Sequence, residues 1–575
     1  MVRKLAAYFK GYGIWVVIAP TLILIEVALR VYIPRFTGQM MNEGILLKNS
    51  SVVYHYGIKM IIFALISLAI GAIASFAAST AGQGFGANLR EATFENIQRF
   101  DFQNIDHFSA PSLITRLTND CNRLSRMAQM SLRLAVRAPF MFITSFIMAL
   151  NINRELSLVF VVAIPLISLV VIVIARRAMN NFRKMQEQLD QVNGAVQENL
   201  NGIRIVKSFT REEHEIDKFD IENIRLKDLS LAAMYEIIKL PTAIIAIISA
   251  SIMAVLYIGT KGVVDGSILP GDLFSFLMYI GMVLNSITMI FMVIMNYARA
   301  KASAERVLEV LEEKPVLAEK EQPLKELRDG SIELRNLSFR YHENQRPILE
   351  NISLRVEAGE TLAIIGATGS GKTSLIQLFA RLYDRSDGEL LVGGQPVEDY
   401  KLSDLREQVA VVLQKNTLFR GSLRENLQWG KADATDEEIL EVLRIAQAEN
   451  FVMEREGGLD ATVEQGGANF SGGQKQRLSI ARSLLKQPKI IIFDDSTSAL
   501  DMATERKLRS ALDEALPDLT KVIIAQRISS VADADKILLL EKGQMNGFGT
   551  HEELLANNVI YQEIVASQEK GVLAS

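Results

Sequence analysis

The stretch TLAIIGATGSGKTSL, residues 361–375, decides the fold of the second half of the chain. Thr361 to Ile365 is a short apolar run rich in β-branched residues, which reads as a buried strand. Gly366, Ala367, Thr368, Gly369, Ser370, Gly371, Lys372 and Thr373 follow it directly and fit the Walker A pattern, and a helical run starts near Ser374. In such a loop the glycines let backbone N–H groups close around phosphates at a helix N-terminus. Lys372 then reaches the β- and γ-phosphate oxygens, and the Thr373 hydroxyl faces a magnesium ion.

Further motifs lie on either side. Ile490 to Phe493 is an apolar strand ending in Asp494, a carboxylate placed to hold magnesium beside Thr373. Between the two strands stand Gln414 and the run Phe470, Ser471, Gly472, Gly473, Gln474, then Lys475, Gln476 and Arg477. In this order the motifs resemble those of an ATP-binding cassette domain, with Gln414 as its Q-loop glutamine and Ser471 to Gln474 as its signature. The resemblance extends to Ser498, Ala499, Leu500 and Asp501 as the D-loop and to Tyr341 as the aromatic that stacks on adenine. It implies ATP and Mg as cofactors, with Thr373, Gln414 and Asp494 as the metal-side positions. The β-rich start from about Ser331 and the intervening helical runs predict an α/β fold with a mainly parallel central sheet.

The first half differs in composition. The whole chain has 575 residues, 49% hydrophobic and 22% charged, with mean hydropathy +0.18. That is too apolar for a wholly soluble enzyme and too charged for a wholly buried membrane protein. A net charge of −4 supplies no basic field for phosphate backbones, so no nucleic-acid partner is expected. Cys121 alone excludes an internal disulfide and a cysteine-cluster metal site. A bilayer core of about 30 Å takes about 20 apolar residues as a helix. Six stretches answer: Gly13 to Ile33, Met60 to Ala81, Ala138 to Ile152, Leu156 to Ala175, Leu240 to Thr260 and Leu273 to Met295. The first reads as a span, not a cleaved leader. The third is short unless Arg137 snorkels or its helix begins below the lipid.

The connections after the second and fourth spans are long and charged, with seven Arg between Gly82 and Arg137 and eleven Lys and Arg between Arg176 and Lys239. Met185 to Leu200 and His214 to Leu231 are helix-compatible, so both connections are expected to project beyond the bilayer as helices. A charged, proline-bearing linker follows the last span. The expected domains are a transmembrane domain over 1–311, a linker over 312–330 and a cassette over 331–575.

Six spans, long loops and a cassette together make the entire chain resemble one half of an ABC exporter, a membrane all-α domain followed by an α/β P-loop cassette. That family implies a dimer whose two cassettes close head to tail, so that Ser471, Gly472, Gly473 and Gln474 act on the partner's ATP. It also implies coupling segments, which Phe108 to Asp120 and Phe209 to Glu213 resemble. Its cassette works in the cytosol, which places both termini there and the chain in a bacterial cytoplasmic membrane.

Two positions depart from the family pattern. Asp495 stands where the family has the glutamate that orients the attacking water, and Gln526 stands at its switch histidine. A carboxylate withdrawn by roughly 1.5 Å matters, because misplacement on the order of 1 Å can cost about 10²-fold. Glutamine cannot become cationic beside a developing phosphate charge. The chain's own site is therefore expected to bind Mg-ATP and hydrolyse it weakly, while its signature completes an active site on another chain. A heterodimer follows, with a homologous half-transporter that has the glutamate and the histidine and a degraded signature. A homodimer with slow sites is the alternative.

The expected cargo is a hydrophobic small molecule, a drug or membrane lipid. Glu26 and Arg30 sit one helical turn apart in the first span, a functional or a purely structural ion pair. Met278, Met282, Asn285, Met289 and Met292 share one face of the last span, a soft binding surface or plain packing. An ATP-gated channel or regulatory subunit would carry the same motifs.

Overall fold

The computed structural model describes residues 2–342, 345–496, 500–525 and 527–573. The chain divides into two compact units, Met1–Gln98 with Ala110–Glu313, and Arg99–Ser109 with Lys314–Ser575.

The first unit is helical. After α1 (Val2–Ala6) come α2 (Gly13–Gln39) and α3 (Ser50–Gln98). The chain then visits the second unit as α4 (Phe102–Phe108) and returns as α5 (Ala110–Thr115) and α6 (Cys121–Ile152). It continues through α7 (Leu158–Asn201), α8 (Ile203–Ser208), α9 (Glu212–Val264) and α10 (Pro270–Glu312). Six of these helices are long and apolar enough to cross a membrane. At 1.5 Å per residue the 53 residues of α9 extend about 80 Å, far beyond the hydrocarbon core.

In lipid the helices are held by close packing and polar contacts, because burying apolar surface gains little there. Ala74, Ala77, Ala78 and Ala81 turn the small side of α3 inward, while Leu65, Leu68, Ile73 and Phe76 stay exposed. The approach of α2 to α10 is tighter. A Cβ on Gly271 would stand 2.2 Å from the Gly38 carbonyl oxygen, so neither helix tolerates a side chain there. Asn42 Oδ1 accepts the Gly271 N–H at 2.7 Å, and the Tyr279 phenol donates to the Val31 carbonyl at 2.7 Å.

Glu26 does meet Arg30, at 3.7 Å, but its nearer partner is Arg137 of α6, at 2.9 Å. Arg137 is thus paired inside the bundle, and the third span gains its length from a helix that begins at Cys121. At the tip between α7 and α9, the short helix is Ile203–Ser208, and Phe209 to Arg211 form the turn, with Thr210 at φ +52°. In the first long connection, the segment held by the second unit is α4, ahead of the expected Phe108 to Asp120.

The second unit carries a four-stranded antiparallel sheet and a six-stranded sheet, with a two-stranded ribbon of β7 (Gly421–Ser422) and β8 (Thr462–Val463). The first sheet, in order β2-β1-β4-β5, uses β1 (Ile332–Phe339), β2 (Leu349–Val356), β4 (Asp387–Val392) and β5 (Gln395–Pro396). The second runs β12-β11-β3-β10-β9-β6: β3 (Thr361–Ile365), β6 (Val409–Val412), β9 (Ile490–Asp494), β10 (Thr520–Ile524), β11 (Lys536–Glu541) and β12 (Gln544–Gly549). Its strands are parallel except for β12, and β9 is buried at every residue. Strand β10 pairs Ile524 with Ile364 on one side and with Asp494 on the other. The loop after β3 and the carboxylate ending β9 are thereby brought to one sheet edge.

The expected linker is docked. Asp101 caps α4 through Asn104 N, 3.1 Å, and accepts the Val316 and Leu317 N–H groups at 2.6 and 3.0 Å. Leu317 and Leu327 are buried.

Candidate functional site

The loop after β3 turns into α11 (Lys372–Phe379) through Gly371, whose φ of +99° strains any residue with a Cβ. Close packing fixes the other end, where a Cβ on Gly366 would stand 2.2 Å from the Leu540 carbonyl oxygen. Lys372 Nζ bends back over this loop and donates to the Gly366 and Ala367 carbonyls, both at 2.8 Å. Burial pulls its ammonium below the usual lysine range, against the pull of Asp495 and Asp494.

Opposite, the Thr373 hydroxyl donates to Asp494 Oδ1 at 3.1 Å. Asp494 is buried, which holds its carboxyl above the ordinary range; the Thr373 hydrogen bond opposes the shift, Asp495 adds to it and Lys372 opposes it. One hydroxyl and one buried carboxylate, side by side, fit a hard cation such as magnesium, which takes oxygen ligands. Gln414 Nε2 reaches Asp495 Oδ2 at 3.5 Å, and Asp495 itself sits at φ +47°. A cavity of about 320 Å³ is lined by Thr368, Lys372, Thr373, Gln414, Asp494 and Asp495, together with Gly369 and Gly371. Seven separately expected positions thus share one cavity with Asp494.

The signature lies elsewhere. Ser471 caps the Gly472–Leu484 helix by accepting Gln474 N–H at 3.3 Å, and Gln474 Oε1 accepts Ser471 N–H at 3.0 Å. This reciprocal cap fixes the loop and leaves Ser471 and Gly472 exposed, outside the Walker cavity. Phe470, just before the signature, is buried beneath Arg455, whose guanidinium lies 4.0 Å from the ring centre. Asp501 caps its helix through Ala503 and Thr504 N–H groups. Ser498, Ala499 and Gln526 lie outside the described residues.

Tyr341 packs against α11. Its hydroxyl is within 3.0 Å of Ser374 Oγ and donates to Gln377 Oε1 at 3.2 Å. Its ring meets Tyr383 edge to face at 5.1 Å. Tyr383 is a residue the sequence reading missed. Its phenol donates to Asp106 of α4 at 2.5 Å, and Phe102 of α4 lies 6.1 Å from its ring. Burial first, then Asp106, hold the phenol above its ordinary range.

Comparison with known proteins agrees with this geometry. The model of the ABC transporter transmembrane region matches residues 16–287, and the ABC transporter model matches 349–498. The uncharacterized ABC transporter ATP-binding protein YfiB of Bacillus subtilis (strain 168) is 37% identical over 98% of each chain. This chain belongs to the ABC transporter family. A second ABC transporter relative, the uncharacterized protein MT1311 of Mycobacterium tuberculosis (strain CDC 1551 / Oshkosh), is 35% identical over 99% of this chain and 98% of its own. The fold is that of the structure of a bacterial Atm1-family ABC exporter with ATP bound, at TM-score 0.81 and 22% identity, covering 96% of this chain and 99% of that one. As an ABC transporter the chain is a multi-pass membrane protein that binds and uses ATP.

Proposed function

We propose that this ABC transporter chain is the nucleotide-holding half of a two-chain exporter in a bacterial cytoplasmic membrane, with both termini cytoplasmic. Its cargo is a hydrophobic or amphipathic compound, a drug or a lipid, taken from the cytoplasm or the inner leaflet. The observation that carries the asymmetry is Asp495 beside Gln414 at 3.5 Å, in a cavity otherwise complete for Mg-ATP.

The loop N–H groups and Lys372 bind the phosphates, an anion site at the start of α11. Thr373, Asp494 and Gln414 would hold a magnesium ion, which would supply neutralisation of phosphate charge. Asp495 is the weakened step, since its carboxylate stops roughly 1.5 Å short of a glutamate's reach and positioning on the order of 1 Å governs such rates. Gln526 adds no cation.

Ser471 and Gly472 open their helix toward solvent, as required of a signature that completes a partner's site. The partner is a homologous half-transporter with the Walker B glutamate and the switch histidine. Ile205 and Phe209, 65% and 73% exposed at the tip between α7 and α9, form the apolar surface that docks on the partner's cassette.

ATP turnover of the purified chain alone, against the chain co-purified with a homologous half-transporter, tests this reading. Slow turnover alone and brisk, amphiphile-stimulated turnover of the pair are expected; brisk turnover by this chain alone would refute the asymmetry. Ion current without amphiphile-stimulated turnover would refute export.

A further inference from the structure

The ion pair inside the first unit carries a charge imbalance. Glu26 lies near the middle of α2, about 20 Å from either end at 1.5 Å per residue. Its side chain is 6% exposed, behind Arg137 at 16% and Arg30 at 48%. Gly71 of α3 closes the back, leaving only enough room that an added Cβ would touch Glu26 Cγ at 3.6 Å. The charged groups acting on Arg137 are Glu26, Arg30 and Arg133, one carboxylate against three guanidiniums including its own. Arg133 stands one turn before Arg137 on α6 and makes no ion pair among the described residues. Arg137 Nε is buried without a hydrogen-bond partner among them.

Depth makes this costly. Between Arg137 and the end of α6 at Ile152 lie about 22 Å of uncharged helix, less than the about 30 Å of a hydrocarbon layer, so a span that ends at Ile152 holds Arg137 inside that layer. Glu26 neutralises one of the three guanidiniums; the net positive charge that remains carries a penalty in lipid that an anion removes, and guanidinium forks suit planar or tetrahedral oxyanions. An apolar surface lies nearby on the same helix. Ser145, two turns beyond Arg137, touches Met282 of α10 at 3.7 Å. Met282 belongs to the methionine face, whose Met278 and Met292 stay exposed while Tyr279, Val283 and Leu284 fill the core.

We infer that Arg30, Arg133 and Arg137, oriented by Glu26, bind the anionic head group of the transported amphiphile, a phosphate, sulfate or carboxylate, with its apolar tail along the methionine face of α10. The inference rests on the export reading and narrows its cargo to anionic amphiphiles.

The test is equilibrium binding to the full chain in phosphatidylcholine nanodiscs, with empty nanodiscs subtracted. The probes are dodecyl phosphate, dodecyltrimethylammonium and inorganic phosphate. Dodecyl phosphate is expected to bind at least tenfold tighter than either other probe. The Arg30→Gln, Arg133→Gln double variant spares the Glu26–Arg137 pair, so the fold is retained, and it is expected to weaken dodecyl phosphate at least tenfold. Equal binding of the cationic probe, or wild-type affinity in the double variant, overturns the site. Inorganic phosphate binding as tightly as dodecyl phosphate overturns the amphiphile and leaves a free anion as ligand. Turnover of the two-chain complex separates the two readings. Stimulation by dodecanol but not by dodecyl phosphate would overturn the anion site and spare export. Arginine-dependent binding of dodecyl phosphate with no stimulation by any amphiphile would overturn export instead.

Discussion

The Tyr383 phenol donates a 2.5 Å hydrogen bond to Asp106, tying the strand-leading loop after α11 to the short helix α4. Tyr383 also meets the Tyr341 ring at 5.1 Å, so the expected adenine-stacking residue and α4 share one neighbour. Hydrogen bonds to charged groups contribute about 1.5–3 kcal/mol. Tyr383→Phe keeps the ring and removes the bond, so it is expected to leave ATP affinity within about twofold while lowering amphiphile stimulation of turnover. Asp106→Ala should act in the same way, and the double variant should be no worse than either single change, the coupling expected of contacting residues. Additive losses would show that the two side chains act separately.

Asp494 links stability to pH. Its carboxyl is held high by burial, so the stability is fully present below the unfolded carboxyl range, near pH 4, and is lost as pH rises through the elevated folded value. Ionising the group therefore weighs against the nucleotide-free fold. Asp494→Asn is expected to raise the apparent melting temperature of the nucleotide-free chain at pH 7 by roughly 2–4 °C per kcal/mol recovered. The same variant should lose the further rise that Mg-ATP gives the native chain. A lower melting temperature would show that the carboxylate is needed for the fold itself.

Phe470→Leu keeps an apolar side chain and removes the Arg455 contact at 4.0 Å. Such cation–π contacts are worth about 0.5–2 kcal/mol. Stability should fall by that order while the turnover of the two-chain complex is retained, because the cap at Ser471 is untouched. A large loss of turnover would make Phe470 part of the signature's function.

Gly271→Ala tests the α2–α10 contact. The new Cβ would meet backbone at 2.2 Å, which no side-chain movement relieves, and overpacking of this kind costs about 1–3 kcal/mol. The detergent-solubilised variant should melt lower than the native chain and yield less protein; unchanged melting would mean the helices part at no cost.

The chemistry of the cassette was legible because it is local. A strand, a glycine loop, Lys372 and Thr373 are contiguous, and Asp494 ends an apolar run that can only be a buried strand. The six spans were legible for the same reason, as apolar length is a property of each stretch. What escaped depends on contacts between distant stretches. Tyr383 and Asp106 are 277 residues apart, and neither carries a local pattern that announces the other. The pairing of Arg137 was not legible because its partner Glu26 lies on another helix, whereas Arg30, one turn from Glu26, was visible. The bounds of α4 and of the short helix Ile203–Ser208 were not legible because they are set by capping at Asp101 and by a left-handed turn at Thr210, not by hydrophobic period.

Asymmetry of the two ATP sites is tested most directly by single-turnover and steady-state ATP hydrolysis of the two-chain complex with one site disabled at a time. Replacing the partner's Walker B glutamate by glutamine is expected to abolish steady-state turnover, while Asp495→Asn changes it by less than about twofold and Asp495→Glu raises hydrolysis at this chain's site by on the order of 10²-fold. Turnover that collapses with Asp495→Asn and survives the partner's substitution would contradict the assignment of this chain as the nucleotide-holding half.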